Sequence, residues 1–292
     1  MPTRKLFLWF LCLSACMGYT HGSALETVDI PSPSMNTSLP AAVVLPESYA
    51  ETDHSYPVIY LLHGAFGDHR DWLDKVAPDG LVQSLANQYN IIFVLPEGGT
   101  FSFYLDSPVL ENSRYETHIT AEVVPFVDEH YRTVADPAGR AITGLSMGGQ
   151  GALYLATRHP HLFGAAGSMS GAVHMDINGW DLPEEDIDRL MQGFMRSLGN
   201  DIEPEFLAKN SVSNMVDQIK ANNIPIIIDC GVDDFLIDAN RKFHKRLLEN
   251  KVPHDYIERP GRHNWPYWQN ALLYQVLFIS EVFRENGSMV SL

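Results

Sequence analysis

The chain has 292 residues, 45% of them apolar and 19% charged, an ordinary globular composition that excludes a disordered or fibrous protein. Its 36 acidic residues against 20 basic ones leave a net charge of −16. It therefore lacks the basic footprint that a nucleic acid demands, and a small neutral or uncharged substrate is expected.

Arg4 and Lys5 precede the apolar run Leu6 to Leu13, too short to span a bilayer and built like a secretory signal over residues 1–24. Leu13-Ser14-Ala15-Cys16 resembles a bacterial lipobox, in which Cys16 is lipidated and tethers the protein to a membrane. Gly22-Ser23-Ala24 competes as an ordinary cleavage site. The first is preferred. The expected location is accordingly an outer-membrane or cell-surface lipoprotein, or else the periplasm or exterior. Only Cys230 remains beyond the signal, so no intramolecular disulfide is expected.

Residues 25–40, rich in Pro and Ser, read as a tether, and 41–292 as one domain. Ala41 to Leu45 and Pro57 to Leu62 read as strands, the second apolar on both faces and so central. It runs into His63-Gly64-Ala65-Phe66-Gly67, a loop whose glycine lets a backbone N–H face a site. Gly80 to Tyr89 reads as a helix, Ile91 to Leu95 as a buried parallel strand, and Arg114 to Tyr131 as one long amphipathic helix.

Arg140 to Ala152 holds G-x-S-x-G as Gly144-Leu145-Ser146-Met147-Gly148. A nucleophilic serine at a strand-to-helix elbow needs flanking glycines to avoid collisions across a sharp turn. Ala141-Ile142-Thr143 before it and Gly151 to His159 after it supply the strand and the helix. Gly164 to Ser170 is a further strand whose Ser168 and Ser170 read as packing residues. Residues 172–210, with Trp180 and a helix opening at Pro183, break the β/α rhythm and read as a small cap over the site. Their acidic residues have no calcium-loop spacing, so no metal is expected. Val212 to Ala221 and Asp238 to Asn250 read as helices, Ile224 to Cys230 and Asp255 to Glu258 as strands, and a last helix follows the loop Pro260 to Trp265.

Acyl transfer by a serine needs a base to take its proton and a carboxylate to hold that base. In an open α/β sheet with this elbow the order is Ser, acid, His. Ser146, the pair Asp233 and Asp234 at a strand end, and His263 fall in those places; periodicity does not separate the two acids. Asp229 lies within its strand and reads as structural. His63 precedes the acid and reads as bracing its loop, while His244 and His254 read as surface or packing residues.

The runs Y-L-L-H-G-A-F-G, F-Y-L-D-S-P, R-Y-E-T, G-L-S-M-G-G, D-C-G-V-D-D-F-L and P-G-R-H-N-W-P-Y-W resemble the esterase D group of α/β-hydrolases over residues 40–285. That group includes tributyrin-type esterases, feruloyl and acetyl-xylan esterases of carbohydrate esterase family one, S-formylglutathione hydrolases and secreted mycolyltransferases. The resemblance implies an α/β-hydrolase fold, a mostly parallel sheet flanked by helices. It implies Ser146 as nucleophile, His263 as base, Asp234 rather than Asp233 as acid, and the N–H groups of Ala65 and Met147 as oxyanion donors, with no cofactor. Little matches over 172–210, where substrate choice would lie. Phe66, Trp180 and Trp265, with Tyr267 and Trp268 near them, offer planar faces to a ferulate or sugar ring. The expected function is a serine carboxylesterase acting on short or aromatic acyl groups, carried by a small molecule or an oligosaccharide. The rivals are an acyltransferase to a sugar hydroxyl and a non-catalytic glycan-binding surface lipoprotein.

Overall fold

Among the described residues eight strands form one sheet: β1 (Leu25–Ser32), β2 (Thr37–Val44), β3 (Val58–Leu62), β4 (Ile92–Pro96), β5 (Arg140–Gly144), β6 (Ala165–Met169), β7 (Ile226–Gly231) and β8 (Asp255–Arg259). The computed structural model describes residues 24–76, 80–176, 180 and 182–289, so Cys16 and the rest of the signal sequence lie outside the described residues. Strand order is β1-β2-β4-β3-β5-β6-β7-β8. Only the β1–β2 and β2–β4 pairings are antiparallel. The result is the mostly parallel α/β-hydrolase sheet that the motifs implied.

β3 shows why its sequence is apolar throughout. Val58, Tyr60 and Leu62 enter one core and Ile59 and Leu61 the other, because successive side chains leave opposite faces of a strand and helices cover both. Leu62 pairs with Gly144 in register, which brings the end of β3 beside the end of β5. The carboxyl ends of β3, β5, β7 and β8 therefore open on one rim, where sheets of this kind place ligands.

The stretch read as a tether is instead the β1–β2 hairpin, with Leu25 opposite Val44 and Ser32 opposite Thr37. Pro31 is tolerated because β1 is an edge strand, and Pro40 lies just outside the part of β2 that pairs with β4. The serines are used up in the turn: Ser32 Oγ and the Ser34 N–H both donate to Glu122, at 2.6 and 2.9 Å. Glu122 sits in a second departure from expectation. The helix foreseen over 114–131 runs from Tyr115 to His130 but is π-helical over His118–Val123. Pro125, which follows it, has no N–H to close an ordinary turn.

Among its described residues, the segment between β6 and the helix Val216–Asn222 holds the helices Glu184–Leu198 and Pro204–Asn210 and a short 3-10 turn, Val212–Asn214. Glu184, Glu185 and Asp186 occupy the first turn, where the helix dipole favours them. Phe194 anchors the first of these helices, stacked on Phe103 at 4.7 Å between ring centroids and edge-on to Phe101 at 4.8 Å. At the other end Ser107 and Ser113 donate to the carbonyls of Leu198 and Ser197, both at 2.6 Å, satisfying groups that have no partner within the helix.

Candidate active site

Ser146 joins β5 to the helix Met147–Arg158 at φ 54°, ψ −116°, a conformation a non-glycine residue adopts only when its surroundings enforce it. Both motif glycines are there for close approach. A Cβ on Gly144 would stand 2.7 Å from the Gly148 carbonyl oxygen, and one on Gly148 would stand 2.5 Å from that of His63. The Gly64 loop is pressed against the elbow in the same way, since a Cβ there would fall 2.4 Å from Leu145 Cδ1.

The three sequence-predicted site residues meet at this rim. His263 Nε2 lies 2.9 Å from Ser146 Oγ, and its Nδ1 lies 2.9 and 3.0 Å from the two carboxylate oxygens of Asp234. A carboxylate only accepts, so Nδ1 carries the proton and Nε2 is free to accept from the serine hydroxyl. Asp234 is buried and also takes the Leu236 N–H on Oδ1 at 2.9 Å. Asp233 is exposed and, among the described residues, bonds through its N–H to the Gly261 carbonyl. The His263 ring is held between Phe235 at 4.5 Å and the edge-on ring of Trp268 at 4.9 Å.

Ala65 and Met147 flank the serine. The Phe66 N–H donates to Thr100, Gly67 to Gly64 and Gly148 to Leu145, whereas the Ala65 and Met147 amides enter no such bond among the described residues. His63 braces its loop: it is buried, its Nδ1 donates to the Gly64 carbonyl at 2.8 Å, and its Nε2 accepts the Gly98 N–H at 2.9 Å. His244 and His254 pair with each other at 2.7 Å and take no part in the site. Burial, helped by the charges of Asp234 and Asp229, pushes the Cys230 thiol up and leaves it protonated.

A cavity of about 470 Å³ opens over Ser146 and His263. Phe66, Trp180 and Trp265 all line it, as do Leu182, Asp186, Arg189 and Leu190 from the segment expected to form a cap. Phe66 is 38% exposed, with the Arg189 guanidinium 4.8 Å above its ring. Trp180 is fixed by its indole N–H, which donates to the His174 carbonyl at 2.9 Å. Tyr267 departs from expectation: it does not line the cavity but is buried beneath the loop, its hydroxyl donating to Asp229. Sequence reasoning also missed the walls formed by Phe101 and Phe103. They lie in a loop rather than a periodic element, and only the aromatic run itself signals them.

These features define an α/β-hydrolase fold with a serine, histidine and aspartate in hydrogen-bonded sequence at the carboxyl rim. The chain belongs to the Esterase family, whose model matches residues 32–279. It is 28% identical over 239 residues to Esterase Rv1288 of Mycobacterium tuberculosis, a match covering 76% of this chain and 51% of that protein, so the chain spans about half the length of that relative. An acetyl esterase of Caldicellulosiruptor saccharolyticus is 28% identical over 229 residues, covering 77% of this chain and 83% of its own. Among solved structures, a ferulic acid esterase superposes with a TM-score of 0.74 at 29% identity, covering 89% of this chain and 98% of the other.

Proposed function

We propose that the protein is a serine carboxylesterase acting on short or aromatic acyl groups esterified to carbohydrate. The observation that carries the reading is the unbroken hydrogen-bonded path from Ser146 through His263 to buried Asp234 at the floor of the cavity. Ser146 attacks the ester carbonyl while His263 removes its proton, and Asp234 holds the imidazole and stabilises its charged form. The Ala65 and Met147 N–H groups, the latter at the positive end of a helix, receive the oxyanion. The alcohol departs with the proton from His263, and water then releases the acyl group from Ser146 by the same steps in reverse.

Two observations support the choice of substrate. The aromatic lining from Phe66, Trp180 and Trp265 suits a planar acyl ring or a sugar face. The similar proteins include an acetyl esterase and a ferulic acid esterase. The test is a series of p-nitrophenyl esters together with methyl ferulate and acetylated xylan. Acetyl, butyryl or feruloyl esters are expected to show the highest kcat/KM. A long-chain ester preferred by about tenfold, equivalent to about 1.4 kcal/mol in the transition state, would replace this reading by a lipase.

Export and tethering through Cys16 rest on the pattern Leu13 to Cys16. The wild-type protein is expected to partition with membranes, and Cys16→Ser to release it or block its maturation. An unmodified mature N-terminus at Leu25, read by mass spectrometry, would establish ordinary secretion instead.

A further inference from the structure

Asp229 is a fully buried carboxylate that takes no part in the acyl-transfer steps, yet it lies on β7, five residues before the acid of the site. One of its oxygens accepts from Arg259 and the other from the hydroxyl of Tyr267. Arg259 is the last residue of β8, and Tyr267 is the third residue of the final helix, Trp265–Glu285. His263 lies on the stretch between them. One side chain thus grips both ends of the segment that carries the imidazole.

The grip is specific in geometry. The Arg259 guanidinium lies over the rings of Tyr274 and Tyr267, at 4.1 and 5.5 Å, and Asp229 is its only acidic partner among the described residues. Its Nε and Nη1 are buried with no hydrogen-bond partner among the described residues, so the carboxylate is what holds this charge in place. The Tyr267 ring packs against Gly261, where a Cβ would fall 2.2 Å from the ring and φ is +154°. Gly261 in turn meets the acid turn: a Cβ on Gly231 would stand 2.4 Å from the Gly261 carbonyl oxygen, which also accepts the Asp233 N–H at 2.9 Å. The Val232 N–H donates to the Arg259 carbonyl, again at 2.9 Å.

We infer that Asp229, through Tyr267 and Arg259, is a positioning residue that sets the register of the His263 segment against the Ser146 elbow and the Asp234 turn. The inference rests on the reading of His263 as the base. Its effect is on kcat, because a misplaced base slows proton transfer without altering how the cavity walls bind substrate. Asp229→Asn is a poor test, since it strips a buried guanidinium of its counter-charge and threatens folding. Tyr267→Phe removes one hydrogen bond while keeping the ring beneath Gly261.

The experiment is a double-mutant cycle of Y267F with H263A on p-nitrophenyl acetate, with Tm measured for each variant. Y267F is expected to lower kcat about tenfold with KM nearly unchanged, and to cost almost nothing further in the H263A background, because there is no imidazole left to misplace. Equal losses in both backgrounds would overturn the inference, as would a lowered Tm with unchanged kcat. An H263A enzyme as active as the wild type would instead overturn the base assignment beneath it.

Discussion

Asp234→Asn is expected to lower kcat by about 10⁴ at neutral pH, the loss that follows when the catalytic imidazole is held in the wrong tautomer. The local bonds dictate that outcome. The Leu236 N–H donates to Oδ1, so an asparagine at 234 keeps its carbonyl oxygen there and turns its NH₂ toward His263 Nδ1, where Oδ2 now lies at 2.9 Å. Nδ1 must then accept, the ring proton moves to Nε2, and the Ser146 hydroxyl loses the acceptor that activates it. Asp233→Asn is expected to leave kcat nearly unchanged. Its side chain is exposed, and the contact it makes to the loop, from its N–H to Gly261, survives the substitution. Steady-state kinetics on one p-nitrophenyl ester compares the two variants. The opposite ranking would mean that Asp233 is the acid.

That contrast marks the limit of sequence reasoning at the site. Ser146 and His263 were legible because the elbow needs glycines on both sides and chain order places the base after the acid. Asp233 and Asp234 are adjacent on a turn, where no periodicity tells which one points inward; only the family resemblance separated them. The structure buries Asp234 and leaves Asp233 outside. The central strands were legible for a related reason, since β3 and β4 are buried on both faces and so must be apolar throughout.

Where the reading failed, composition stood in for context. Pro and Ser over residues 25–40 suggested a tether, but an edge strand accommodates proline, and the serines bond to Glu122 about 90 positions away in sequence. Tyr267 looked like one more aromatic near the base. Its hydroxyl is committed to Asp229, a long-range partner that no local pattern reveals. Residues 172–210 stood out as a break in rhythm, but their packing depends on contacts such as Phe194 on Phe103, made across segments distant in the chain.

Ser146 and His263 are expected to act as one unit, which the two single variants and their combination test. Ser146 Oγ and His263 Nε2 lie 2.9 Å apart, so removing either leaves the other without a partner in proton transfer. Ser146→Ala and His263→Ala are each expected to lower kcat by about 10⁴ to 10⁶. Both leave the Ala65 and Met147 N–H groups and the cavity intact, and residual turnover is expected from these. The measurement is kcat for the Ser146→Ala/His263→Ala enzyme beside each single variant. The double variant is expected to be scarcely slower than either single one. Losses that multiply would show two residues acting independently and would contradict it.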